Sequence, residues 1–505
     1  MNIKRAKQEI KDTIEAYLMK DEDGEYVIPS IRQRPVLLLG APGIGKTQIM
    51  EQIAKECQIG LVAYTITHHT RQSAIGLPFI SRKDFGGKEY AITEYTMSEI
   101  VASVYEKIEK TGLTEGILFI DEVNCVSETL APAMLQFLQC KTFGNHEIPK
   151  GWVIVAAGNP AEYNKSVREF DVVTMDRVKK IEVEPDYQVW KEYAYRENIH
   201  PAVISYLDTR PQHFYKMETT VDGRSFATPR GWEDLSRIIS AYSRLGKTAD
   251  REVVVQYIQH ELIAKDFANY LELYEKYQMD YELEQVFQGQ IGEKLVKKAA
   301  HATFDERLSV ISLLISRCQE QFRAGFFQEE VTKKLFENLK VIKDGFLGVH
   351  QDQPMLFFEE IQKETEAEWI RKKEAEILTK NEDKVYRKVL QRMDQYKKEL
   401  RGKEAEHGEE AFSVLKELFG EDRQNLEETI ERGSQMLEYA FDFMEAVFST
   451  GQEMVVFVTE LGRNYYSVKF LQENDCERYY QYNKNLLFEE NSRKIDARLA
   501  ALQAL

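Results

Sequence analysis

The chain has 505 residues, 43% hydrophobic and 30% charged, which fits about three globular domains at roughly 150 residues each. Its net charge of −17 disfavours a protein that wraps nucleic acid or coats an anionic membrane, since both need clustered positive charge. The cysteines at 57, 125, 140, 318 and 476 form no CxxC pair, so neither a disulfide framework nor a zinc knuckle is expected, and reduced thiols in an intracellular protein are.

The chain opens on Ile3, Ile10, Ile14 and Leu18 with charges between them, the spacing of an amphipathic helix rather than of a secretory signal. No apolar run approaches the roughly 20 residues that span a bilayer, so a cytoplasmic protein is expected. From Val36 to Glu184 short apolar runs alternate with helical patterns. "VLLL", "GLVAYTI", "GILFI", "WVIVAA" and "KKIEVE" read as strands, and 47–57, 96–110 and 128–139 as helices. That alternation predicts a parallel sheet covered on both faces. With an N-terminal helix it makes residues 1–184 an α/β domain.

Beyond Pro185 aromatic-rich helical segments predict an all-helical domain over 185–290, and a mainly helical region over 291–449 follows. Residues 355–401 lack glycine and proline, and Tyr386, Val389, Met393, Tyr396 and Leu400 form one apolar seam. The seam fits a coiled-coil arm or an ordinary long helix with a charged outer face. "EMVVFVTELGRNYYSVKFL" reads as a β-hairpin around Gly-Arg-Asn, with a last helix completing residues 450–505.

The chemistry sits in the first third. "GAPGIGKT" supplies GxxxxGK[ST] between a strand and a helix, the loop whose backbone N–H groups cradle phosphates: Gly40, Ala41, Pro42, Gly43, Ile44, Gly45, Lys46 and Thr47. Lys46 reaches the β and γ oxygens, and the Thr47 hydroxyl binds Mg2+. "GILFIDE" ends a strand on Asp121, a second magnesium ligand, and Glu122, which polarises the attacking water. "WVIVAAGNP" ends another on Asn159, placed to contact the γ-phosphate or the water. ATP and Mg2+ are therefore the expected cofactors. His68 and His69 are adjacent at a strand end and point to opposite sides, so they are not read as metal ligands. Trp190, Trp232 and Trp369 sit on helical apolar stripes and are read as core.

Together "GAPGIGKT", "LFIDEVN", "LAPAMLQFLQ", "AAGNP", "TMDRV" and "ATPRGWEDL" resemble the MoxR family of AAA+ ATPases over residues 30–290. The resemblance implies a P-loop NTPase core, a helical lid and a hexameric ring with ATP bound between neighbours. It further implies remodelling of a protein partner, one that carries a von Willebrand factor A domain. It implies a β-hairpin inserted after the second strand, matched by residues 73–95, and a second insert matched by 140–152. By the same resemblance Asn159 is the polar sensor, Arg177 reaches the next subunit's γ-phosphate, and Arg230 senses that phosphate from the lid of its own subunit. An arginine finger is worth about 10³–10⁵ in rate. Two positions depart from the family: Cys125 stands where an arginine follows "DEIN", and Val178 where an aromatic is common. Arg168 is the alternative finger. Two other functions stay open, an ATP-dependent switch or scaffold with negligible turnover and a nucleic-acid-associated motor, the latter disfavoured by the acidic balance. The region beyond 355, outside the resemblance, is the candidate for adaptor binding.

Overall fold

The computed structural model describes residues 1–484 apart from 69, 144, 164–166, 169, 221–222, 282 and 404–406. The chain divides into two units, Met1–Val189 with Glu366–Asp383, and Trp190–Thr365 with the chain from Lys384 onward.

The first unit is built on a five-stranded sheet. Helix α1 (Ile3–Leu18) starts where the Asn2 side chain accepts from Arg5 N–H and buries Ala6, Ile10 and Ile14. Strand β1 (Val36–Gly40) leads through the glycine loop into α2 (Lys46–Cys57). After β2 (Gly60–Thr65) and the short α3 (Arg71–Ile75), the chain leaves the sheet as an antiparallel hairpin, β3 (Pro78–Phe85) and β4 (Lys88–Tyr95). Gly86 and Gly87, at φ 66° and 83°, turn its tip, and Gly87 N–H donates to Asp84. Helix α4 (Glu99–Thr111), β5 (Gly116–Asp121) and α5 (Ala131–Cys140) follow. A second small hairpin, β6 (Thr142–Phe143) and β7 (His146–Glu147), precedes β8 (Trp152–Gly158), α6 (Val172–Arg177) and β9 (Lys179–Val183).

The sheet order is β2-β5-β8-β1-β9, every pair parallel. Both faces are covered, so β8 is buried along its whole length and the strands read as unbroken apolar runs. Leu118, Ile120, Ile154 and Ala156 pack with Val101 and Val104 of α4 and Phe137 of α5 in one core. Each strand expected between 36 and 184 is present, the first insert takes the hairpin form that the resemblance implied, and the second insert is also a small hairpin.

Beyond the sheet the chain is almost entirely helical: α7 (Tyr187–Arg196), α8 (Pro201–Thr209), α9 (Pro229–Arg244), α10 (Arg251–Tyr257), α11 (Glu261–Asp280), α12 (Leu283–Val286), α13 (Glu293–Ala300) and α14 (Phe304–Phe346), then α15 (Pro354–Glu374), α16 (Lys380–Gly402), α17 (Gly408–Phe448), α18 (Gln452–Arg463) and α19 (Tyr465–Glu473), most of them in the second unit. One departure from the all-helical reading of 185–290 is an antiparallel pair, β10 (Lys216–Thr220) with β11 (Gly223–Ala227). Trp190 and Trp232 are core residues, as expected; Trp369 is half-buried.

Residues 355–401 are not one arm. They are α15 and α16, broken at Glu376, whose φ is 62°. From residue 385 on, Val389, Met393, Tyr396 and Leu400 of the seam, with Val385, join Leu335, Ile342, Phe358 and Leu415 in a four-helix core with α14, α15 and α17, and Tyr386 is buried as well. The hairpin expected at 453–471 is replaced by α18 and α19. Met454, Phe457, Val458 and Leu461 are buried at helical spacing, so a 3.6-residue apolar stripe overrides the β-propensity of "VVFVT". Asn464, read as a turn residue, is an N-cap that accepts from the N–H groups of Tyr466 and Ser467. The last helix expected after it is present over 477–484, where the described residues end.

Candidate nucleotide site

The carboxyl ends of β1, β5 and β8 meet at one edge of the sheet, and each delivers part of the site. The loop after β1 turns on Gly43 and Gly45, at φ 77° and 95°, values that a side chain would strain. Gly40 is required by close approach: a Cβ there would lie 2.7 Å from the Val183 carbonyl oxygen of β9. Lys46, 7% exposed, donates from Nζ to the carbonyl oxygens of Gly40 (2.8 Å) and Ala41 (2.9 Å) and to Asn159 Oδ1 (2.8 Å). One bond from the loop lysine to the expected sensor thus ties β1 to β8 across 113 residues of chain.

Thr47 Oγ1 donates to Asp121 Oδ2 at 3.1 Å. Two cis oxygens on an octahedral Mg2+ at 2.0–2.1 Å are separated by roughly 2.9 Å, so this pair fits the ion. Asp121 Oδ1 also accepts from the N–H of Glu122 (2.8 Å), which fixes its carboxylate. Glu122 adopts φ 56°, uncommon for a residue with a side chain, and its Oε2 accepts from Thr67 Oγ1 at 2.8 Å.

Thr67 was not legible as a site residue. It lies just past β2, the strand paired with β5, and only the strand order brings it beside Glu122. Asn124 was also missed. Its side chain, 5% exposed, bonds both backbone groups of Asn159, donating to O (2.7 Å) and accepting from N (3.3 Å). Its own carbonyl accepts from Arg168 N–H at 2.9 Å. Gly158 makes room for it, because a Cβ there would lie 2.5 Å from Asn124 Oδ1. A cavity of about 480 Å³ joins Gly40, Ala41, Asn124, Asn159 and Arg168.

Arg177 closes α6, which Asp171 caps. Hydrogen bonds from the Thr174 hydroxyl and N–H hold the Asp171 carboxyl below its usual range. Arg177 is exposed and donates to Gln139. Arg168 pairs with Glu128 at 2.7 Å. Arg230 is exposed in the first turn of α9, in the second unit, where Thr228 caps the helix by accepting from Gly231 N–H. Cys125 closes the turn after β5 through its N–H to Glu122 O.

Among the described residues no helix is long and apolar enough to cross a membrane. No curated protein matches the chain. Among solved structures, a point mutant of RuvB from Thermotoga maritima shares 17% identity, over 57% of this chain and 76% of that one, with a TM-score of 0.29. Residues 35–178 match the family model described as an AAA domain of the dynein-related subfamily. That stretch runs from the start of β1 to the end of α6, so the chain carries an AAA+ ATPase domain on its parallel sheet.

Proposed function

We propose that this protein is a ring-forming, MoxR-like ATPase that spends ATP hydrolysis on remodelling a protein partner, one bearing a von Willebrand factor A domain. One observation carries the ATPase part: at one sheet edge Lys46 bonds Asn159 while the next residue, Thr47, bonds Asp121, whose other oxygen accepts from the N–H of Glu122. Residues 40–46 hold the phosphates of ATP, with Lys46 against the β and γ groups. Thr47 and Asp121 hold magnesium, which when bound neutralises charge on the phosphate oxygens. Glu122 accepts the proton of the attacking water, and Thr67 fixes its carboxylate. Asn159 orients the water or the γ-phosphate, held in register by Asn124. The exposed Arg177 is presented to a neighbouring subunit's γ-phosphate, and Arg230 reads the phosphate from the lid. The ring and the partner rest on the motif resemblance.

Complementation tests the shared site. Arg177→Ala should lose about 10³–10⁵ in turnover, roughly 4–7 kcal/mol of transition-state stabilisation, while still taking up ATP. Glu122→Gln should be equally inactive. Mixing the two inactive proteins should restore turnover, since some sites then combine one chain's Glu122 with its neighbour's Arg177. Failure of every mixture to recover activity would remove Arg177 from the trans role.

A further inference from the structure

The hairpin of α15 and α16 ends in a knuckle at residues 375–379 that belongs to the first unit. The knuckle is tightly built. Glu376 N–H donates to Lys373 O (3.0 Å) and Ile377 N–H to Lys372 O (3.2 Å), closing α15 around the left-handed Glu376. Thr379 and Glu382 bond each other reciprocally, side chain to backbone, and start α16. Trp369 Nε1 donates to Asp383 Oδ1 at 2.9 Å, joining the two legs. Ala375 and Ile377 are buried, at 4% and 9% exposure, although they lie in a connection between helices.

Its neighbours are the rear of the ATPase domain. Glu376 Oε2 accepts from Lys107 Nζ of α4 at 2.7 Å. The Ile377 carbonyl accepts from Gln58 Nε2 at 3.5 Å. Gln58 is the left-handed residue that ends α2, the helix whose first residue is the phosphate-binding Lys46. That helix is 12 residues long, about 18 Å at 1.5 Å per residue, so its two ends are joined by a rigid rod.

We propose that the knuckle braces the rear end of the phosphate-loop helix and couples ATP turnover to the α15–α16 hairpin. The inference rests on the ATPase reading above. A rod gripped by phosphate at one end and by the knuckle at the other cannot shift without moving both. Whatever displaces the hairpin then acts on the site, and the coupling is reciprocal. The Lys107–Glu376 pair is largely exposed on its acidic side, so it fixes register more than it stabilises, and the next residue, Ile377, is buried.

The native protein can be tested with a zero-length carbodiimide, which joins a lysine and a glutamate only in contact. The amide forms from Lys107 and Glu376 with loss of water. Mixing isotope-labelled with unlabelled chains identifies a link within one chain. We expect that link, its loss in Lys107→Glu and in Glu376→Lys, and its return in the double swap. In Glu122→Gln protein its yield should change at least twofold when ATP and magnesium are added. Ile377→Asp and both single charge reversals should lower turnover at least threefold, and the double swap should recover it. No link within a chain, a yield indifferent to ATP, or unchanged turnover in all three single variants would overturn the proposal. If wild-type protein shows no ATP turnover sensitive to Lys46→Ala, the ATPase reading fails, while the link still reports whether the knuckle docks.

Discussion

Lys46 and Asn159 show how single residues set the site. A buried ammonium needs partners, and here two loop carbonyls and one amide oxygen supply them. Asn159 is in turn held by Asn124, so deleting the Asn124 side chain frees the half-buried C=O and N–H of Asn159 and loosens its position in the site. Asn124→Ala should therefore cut turnover about tenfold or more while ATP uptake persists. Gly158→Ala should do the same by pushing Asn124 aside, and steady-state kinetics beside a binding isotherm checks both. Normal turnover in Gly158→Ala would contradict the role given to Asn124. The loop and both strand-end carboxylates were legible in the sequence because their spacing is local. Thr67 and Asn124 were not, since each acts on a residue of another strand.

At the scale of elements, buried polar groups mark where the small inserts are fastened. Lys141 ends α5 in a left-handed conformation, and its Nζ reaches Gln33 Oε1 (3.1 Å) and Ser30 Oγ (3.4 Å) without a carboxylate. Burial pushes its ammonium down to about 8. The unfolded chain then binds more protons than the folded one between about pH 8 and the usual lysine range, so stability from this group rises as pH climbs through that window. Each unit of depression is worth about 1.36 kcal/mol. Lys141→Met, followed by thermal melts from pH 7 to 10, should be more stable than wild type at pH 7, with the gap closing as pH rises; a gap that stays constant would contradict it. The helices of the second unit illustrate what propensity misses. "VVFVTELGRNYY" favours strands locally, but four apolar residues at helical spacing and the Asn464 cap decide the outcome. The break at Glu376 has no glycine or proline to announce it, although Thr379-Lys380-Asn381-Glu382 is a capping box that signals the start of α16.

At the scale of the whole molecule, the composition fitted several globular domains, and the contacts divide the chain into two units with one excursion, Glu366–Asp383. That excursion was illegible because no periodicity encodes which distant surface a loop meets. The seam of α16, by contrast, was readable and is buried in a four-helix core. Met393→Ala should cost the second unit about 2–5 kcal/mol in denaturant unfolding, since the residue is 1% exposed. ATP uptake should remain, as the phosphate loop lies in the first unit. A midpoint unchanged from wild type would remove Met393 from the core. The most direct test of the central claim is titration calorimetry of the full chain with ATP and magnesium, beside Lys46→Ala. Saturable heat from wild-type protein that Lys46→Ala abolishes is the predicted result. Absence of that heat in the wild type, or its persistence without the lysine, would contradict the assignment of residues 40–47 as the phosphate cradle.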